Sequence, residues 1–288
     1  MQGIEELAHA KVNLFLRVLR RREDGFHEIE TLMAPISLAD RITIERAGDD
    51  GEIRFSCDDV SLPAGDDNLV VRAAKLFRQR ANVTSGITVA LEKKIPHGAG
   101  LGGGSSDAAS TLLGLNELFA AGLEQEDLLK LAAQLGSDVS FFVVRSAAVC
   151  RGRGEIVMPI SLETRFQLIL LKPDFGVPTP WAYGRWKESR ELGGVDYSAQ
   201  EFSGVRFVND LERPVFEKFV VLAHLKRWLR QQPEVAIALM SGSGSTVFAV
   251  LREGAKGEEL AARARQQVDA TLWTCECETV DRALRARW

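Results

Sequence analysis

The chain has 288 residues, 45% of them apolar and 26% charged, with a formal net charge of −4. This composition fits a soluble globular protein of one large or two modest domains and does not favour general nucleic-acid affinity, which needs a basic surface. No run of about 18 apolar residues occurs, and the opening "MQGIEELAHAK" lacks the charged-then-apolar order of a secretory leader, so no membrane partner and a cytoplasmic location are expected.

Strand-like stretches come first, at 9–19, 29–47 and 51–57. Residues 68–81 place Leu69, Ala73, Leu76 and Phe77 at helical spacing, and 86–95 alternate like a strand. Five glycines between 98 and 104 then run into a helical pattern ending at Gly122, with Ser105 and Ser106 expected at its cap and Asp107 in its first turn. A further helix is expected over 125–138, stopping near Gly136, and a hairpin over 147–160. From about Ile160 the pattern restarts: a strand at 165–173, a helix at 215–231, strands at 235–240 and 246–251 about "SGSGS", a helix at 255–268 and a strand at 272–280. That β-α-β-β-α-β order is the split βαβ, ferredoxin-like arrangement. The expected class is α+β with two domains, 1–158 and 159–288. Cys57, Cys150, Cys275 and Cys277 are scattered. Cys275 and Cys277 share one strand face with no second pair, which favours packing on a core over metal binding.

Five glycines in seven positions need a reason, because glycine loses the most backbone entropy on folding. A Gly-rich loop opening a helix presents unpaired N–H groups and a positive dipole end, a ready anion site, whereas a close-packed turn needs only one or two glycines. The P-loop pattern fails, since no Lys follows the glycines. Gly98, Gly100 and Gly103 match the dinucleotide-binding spacing, but "KKIPH" separates them from the preceding strand. The H-R-D string that accompanies a protein-kinase loop is absent.

"IPHGAGLGGGSSDAA" resembles, residue for residue, the ATP-binding motif of the GHMP kinases, the superfamily of galactokinase, homoserine kinase, mevalonate kinase and phosphomevalonate kinase. Within it, "AHAKVNLFLRVLRRREDGFHEIETLM", "LAAQLGSDVSFFV" and "GVPTPWAY" are similar to segments of the 4-diphosphocytidyl-2-C-methyl-D-erythritol kinase family, and "SGSGSTVFAV" resembles the superfamily's second glycine-rich loop. Three positions depart from the pattern: Ser140 stands where Pro is usual, Ser245 where Ala is common, and Phe26 where Tyr is more frequent. The resemblance spans nearly the whole chain. It implies an N-terminal domain like ribosomal protein S5 domain 2 and a ferredoxin-like C-terminal domain. The implied reaction is transfer of the ATP γ-phosphoryl, with Mg²⁺, to the 2-hydroxyl of a small substrate carrying a cytidine diphosphate. Another GHMP kinase of the mevalonate or homoserine type is the alternative. The "DGFH" hairpin argues against it, because a small acid has no base to stack.

The resemblance also implies roles. Asp138 becomes the base that accepts the hydroxyl proton; spacing alone favours a cap for the next helix, and the two roles are compatible. Lys11 would pair with Asp138, although a lone strand Lys more often faces solvent. Asn13 would bind substrate, Phe26, His27 and Tyr183 would form a slot for the pyrimidine, and Thr179 would meet the diphosphate or a ribose hydroxyl. For ATP, the segment Pro96, Gly98, Ala99, Gly100, Leu101, Gly102, Gly103, Gly104, Ser105 and Ser106 would supply the cradle. Its amides from Gly100 to Ser106 would hold the β- and γ-phosphates, and the Ser105 or Ser106 hydroxyl would bond them or touch Mg²⁺. No side-chain metal site is expected. Asn68 would contact adenine or cap the helix at Leu69, and Lys93 and Lys94 would steer phosphate or stand as a solvated pair.

Overall fold

The computed structural model describes residues 3–280 apart from residue 49, so the closing "DRALRARW" lies outside the described residues. Strands β1 (Gly3–Arg21) and β2 (His27–Arg46) form a long antiparallel hairpin. On its far edge β2 pairs with β4 (Ile87–Glu92) and β5 (Ala148–Gly152); β4 carries the parallel β3 (Ile53–Cys57), and β5 carries β6 (Ile156–Pro159). Helices α1 (Leu69–Ala81), α2 (Gly103–Leu118), α3 (Gln125–Leu135) and α4 (Val139–Val144) cover this sheet. Ile42 and Ile44 meet Phe77, Leu112, Leu115 and Phe141 there in a first core.

The second sheet is antiparallel, in the order β10 (Val235–Met240), β11 (Val247–Leu251), β7 (Gln167–Lys172), β12 (Trp273–Glu278). β7 and β11 are buried on both faces, which is why they read as continuous apolar runs. Ile169, Leu171, Val247 and Ala249 face a core with α5 (Thr179–Arg185), α6 (Glu212–Lys218), α7 (Val220–Arg230) and α8 (Gly257–Gln267). Leu168, Leu170, Phe248 and Val250 face a third core shared with Ala10, Val12 and Leu14 of β1. Between α5 and α6 the chain returns to the first sheet. β8 (Gln200–Phe202) and β9 (Val205–Asn209) form a hairpin, and β9 runs parallel to β1, with Phe15 opposite Val208 and Leu16 opposite Asn209.

The mixed α+β character is as expected, and Cys277 is buried in the third core with Cys275 packed against it. Two expectations change. The helix read over 215–231 is two helices, α6 and α7, because Phe219 leaves helical geometry at φ −108°, ψ 70°. Its ring stacks on Phe175 at 5.2 Å, a contact that apolar periodicity cannot register. Helix α2 starts at Gly103, with Gly102 at the cap in the left-handed region, so neither Ser105 nor Ser106 is the cap residue. No helix of the described residues is long and apolar enough to cross a membrane.

Candidate active site

A cleft of about 990 Å³ opens between the β1–β2 hairpin, the first turn of α2, α5 and the loop 241–245. Lys11 and Asn13 stand on the face of β1 opposite Ala10, Val12 and Leu14, and the β1–β2 register shifts on either side of them, between His9 and Lys11 and between Asn13 and Phe15. Such irregularities re-aim side chains at sites. The Lys11 side chain is buried; its Nζ donates to Asn13 Oδ1 at 2.6 Å and lies 3.7 Å from Asp138 Oδ2. Burial lowers the Lys11 pKa, and the Asp138 carboxylate only partly offsets that. The Asn13 amide is fixed by Nδ2 donating to Thr31 Oγ1 at 2.8 Å, and Thr31 Oγ1 in turn donates to Phe15 O at 2.6 Å. One N–H of that amide is left for a ligand.

Asp138 occupies the cap position of α4 but makes no side-chain cap bond, and its side chain is 39% exposed in the cleft. The capping alternative therefore accounts for its backbone and not for its carboxylate. Cys150 on β5 faces the same pair; burial, with Asp138 nearby, pushes its thiol up to about 12.

Across the cleft, Gly98, Gly100 and Gly102 have φ of +63°, +76° and +73°. Gly103, Gly104 and Ser105 are the first three residues of α2, whose N–H groups have no intrahelical partner. Ser106 stands apart from the expected cradle. Ser106 N bonds to Gly102 O, and the Ser106 hydroxyl is buried and donates to His9 O at 2.6 Å, so it faces away from the cleft. The Leu101 and Ala99 side chains are packed in the third core, and their carbonyls accept from Lys11 N and Thr246 N. Pro96 and Ala99 still line the cleft.

The glycines answer two demands. A Cβ on Gly100 would lie 2.2 Å from Ser241 O, and one on Gly102 would lie 2.7 Å from the Phe142 ring. A Cβ on Gly104 would meet only Leu69 Cδ1, at 3.8 Å. Gly100 and Gly102 are close-packed turns, and a Cβ on Gly103 would still lie 3.0 Å from Ile95 Cγ2, so within the first turn of α2 Gly104 is the open position.

Asn68 caps α1. Its Oδ1 accepts from Val70 N at 2.9 Å and its Nδ2 donates to Pro63 O at 2.8 Å, so it enters the cleft wall as a fixed group. Lys93 is not a solvated cation: its Nζ donates to Asp107 at 2.8 Å and to Asp40, beneath the turn at Gly103. Burial pushes the Asp107 carboxyl above the usual carboxylate range. Asp40 carried no sequence signal; its Oδ1 accepts from Lys94 N and Ile95 N, bracing the segment before the glycines.

At the far end the His27 and Tyr183 rings lie 5.5 Å apart at 30°. Trp186, which the sequence motif stops short of, meets His27 edge-on at 6.3 Å. Burial, then Arg21, lowers the His27 pKa, which keeps the ring neutral near neutrality. Phe26 is 50% exposed, so it is not a core residue, and the Arg153 guanidinium sits 4.6 Å from its ring centroid. The Thr179 hydroxyl shares a 2.8 Å hydrogen bond with Ser243 Oγ. One cleft thus joins a base-sized aromatic shelf, a carboxylate–ammonium pair and a helix start.

Comparisons with known proteins identify the family and the fold. The family model described as GHMP kinases N terminal domain matches residues 68–146. The 4-diphosphocytidyl-2-C-methyl-D-erythritol kinase of Methylacidiphilum infernorum is 45% identical over 248 residues, 86% of each chain. That of Bacillus subtilis is 40% identical, covering 89% of this chain and 91% of its own. A crystal structure of 4-(cytidine 5'-diphospho)-2C-methyl-D-erythritol kinase aligns with TM-score 0.77 and 37% identity over 96% of this chain and 100% of that one. A homoserine kinase from Cytophaga hutchinsonii, at TM-score 0.70 and 16% identity over 98% of this chain and 95% of its own, shares the fold. On these grounds the chain belongs to the 4-diphosphocytidyl-2-C-methyl-D-erythritol kinase family.

Proposed function

We propose that this chain transfers the γ-phosphoryl group of ATP to the 2-hydroxyl of 4-diphosphocytidyl-2-C-methyl-D-erythritol, in the methylerythritol phosphate route to isoprenoid precursors. The observation that carries the reading is the Lys11–Asp138 pair, 3.7 Å apart, in the same cleft as the open first turn of α2. Phosphoryl transfer needs positioning and charge neutralisation more than covalent help from the protein. The amides from Gly100 to Ser105 hold the phosphates. Asp138 accepts the proton as the substrate oxygen bonds to the γ-phosphorus and the bond to the β-phosphate oxygen breaks, releasing ADP. Lys11 offsets the charge that gathers on the transferring group. His27, Tyr183 and Phe26 receive the cytosine, Thr179 the diphosphate or ribose, and Asn13 orients the hydroxyl-bearing chain.

Among the described residues no group of three or more His, Cys, Asp or Glu side chains is arranged to hold a metal ion. A magnesium ion would enter with the nucleotide, where its phosphate oxygens and the Ser105 hydroxyl, at the open first turn of α2, would hold it, and it would supply charge neutralisation when bound. We assign residues 1–158 to an S5 domain 2-like domain, the second sheet with α6–α8 to a ferredoxin-like one, and the chain to the cytoplasm, where its four free thiols are at home.

The test is ADP release in the presence of the cytidylated acceptor, mevalonate or homoserine. The proposal expects release with the first alone. Release with mevalonate or homoserine instead would overturn it in favour of another GHMP kinase activity.

A further inference from the structure

The stretch "NDLE", residues 209–212, carries no motif, yet its three polar side chains are all tied to the walls of the cleft. Asn209 ends β9 and is 3% exposed. Its Nδ2 donates to Met240 O and to Gly242 O, each at 2.7 Å, and its Oδ1 accepts from Leu211 N at 2.9 Å. Both donors of the amide are thereby used. Glu212, 1% exposed, accepts from Met240 N at 2.9 Å through Oε1 and from Lys226 Nζ at 2.6 Å through Oε2. Asp210 accepts from Val18 N at 2.9 Å and from Arg17 Nη1 at 2.7 Å, so the same four residues also grip β1.

What the grip positions is seen from the other side of the loop. Gly242 has φ +55°, and a Cβ on it would lie 3.2 Å from both Lys11 Nζ and Asn13 Oδ1. Ser241 Oγ accepts from Asn13 N at 3.4 Å and donates to Gly100 O at 2.9 Å. The loop is therefore the cover that shields the ammonium from water. A buried Glu–Lys pair is a weak device for stability alone; here the carboxylate also holds the Met240 amide.

We propose that Asn209 and Glu212 are positioning residues for phosphoryl transfer, seating the Gly242 loop against Lys11 and Asn13 and so fixing the ammonium relative to Asp138. The inference rests on the roles of Lys11 and Asp138 given above. The titratable groups facing Lys11 are Asp138 at the start of α4 and Cys150 on β5; Asn13 faces it from its own strand, and residues 241–243 bring only serine and glycine. Loosening the loop would hydrate the ammonium and relieve the burial that lowers its pKa.

Asn209→Asp is isosteric and turns the two donors into a carboxylate oxygen facing two carbonyls. It is expected to lower kcat by about tenfold or more with both KM values within about threefold of wild type, the signature of an interaction made in the transition state. It should also move the alkaline limb of the kcat profile upward, toward the ordinary lysine range near about 10.4. Gly242→Ala, which pushes a methyl at Lys11 and Asn13 from the loop side, should give the same kcat loss with KM preserved, and it decides the matter if Asn209→Asp does not fold. Folded variants with wild-type kcat and, for Asn209→Asp, an unmoved alkaline limb would overturn the inference while leaving the proposed function intact. A wild type that releases no ADP with the cytidylated acceptor would overturn both.

Discussion

Asp138 and Lys11 are the residues on which the proposed chemistry depends most directly. Replacing Asp138 by Asn should lower kcat by about 10²–10⁴, the usual contribution of a general base, while ATP affinity measured by calorimetry stays near wild type. Lys11 sets a pH dependence whose sign follows from its burial: the charged form is the penalised one, so the proton leaves below the ordinary lysine range. Turnover should therefore fall on the alkaline side with a midpoint below about 10.4, read from a pH profile of kcat/KM. Phe26 is half-exposed beneath Arg153, and in the proposed reading its ring receives the cytosine. Phe26→Ala should raise KM for the cytidylated acceptor by the ~1–3 kcal/mol of one base stack, with KM for ATP unchanged. These residues were legible because short motifs fix their identity. Their orientation was not: alternation along β1 is interrupted twice beside Lys11 and Asn13, so no periodic argument could say which way either points. Asp40 and Asn209 were invisible for a different reason, since each acts on partners dozens of residues away.

Among the elements, the glycine segment separates into parts with different jobs. Gly100→Ala places a methyl 2.2 Å from Ser241 O at a φ of +76°. It should lower the thermal midpoint by the several degrees that ~2 kcal/mol represents. Gly104→Ala meets only Leu69, at 3.8 Å, inside a helix where alanine is favoured, so it should leave the midpoint unchanged or raised while weakening ATP binding by crowding the phosphates. Thermal scans and nucleotide titrations on the pair check this. Most strands and helices were readable from periodicity, because their burial follows it, whereas β8 and β9 were not. Helix boundaries were less so. The α6–α7 break at Phe219 lies inside an unbroken apolar rhythm, and the start of α2 was masked by serines that look like caps but sit in its first turn.

For the molecule as a whole, β1 matters more than its place at one end suggests. Ala8 belongs to the first core, Ala10, Val12 and Leu14 to the third, and Leu16 and Val18 to the second. The later strand β9 pairs with it as well. Heating should therefore give one cooperative transition, and residues 1–158 expressed alone should fail to fold, as judged by calorimetry and near-UV dichroism. The β-α-β-β-α-β order of the second half was legible, but the return of β8 and β9 to the first sheet was not, since nothing in a short strand names its distant neighbour. The contact of Gly100 with Ser241 has one more consequence. A synthetic peptide copying residues 93–110, or that segment transplanted into another scaffold, should have little grip on a triphosphate. Much of its bareness is clearance for a second loop of the same chain, and without that loop the curve that aims the helix tip has nothing to rest on.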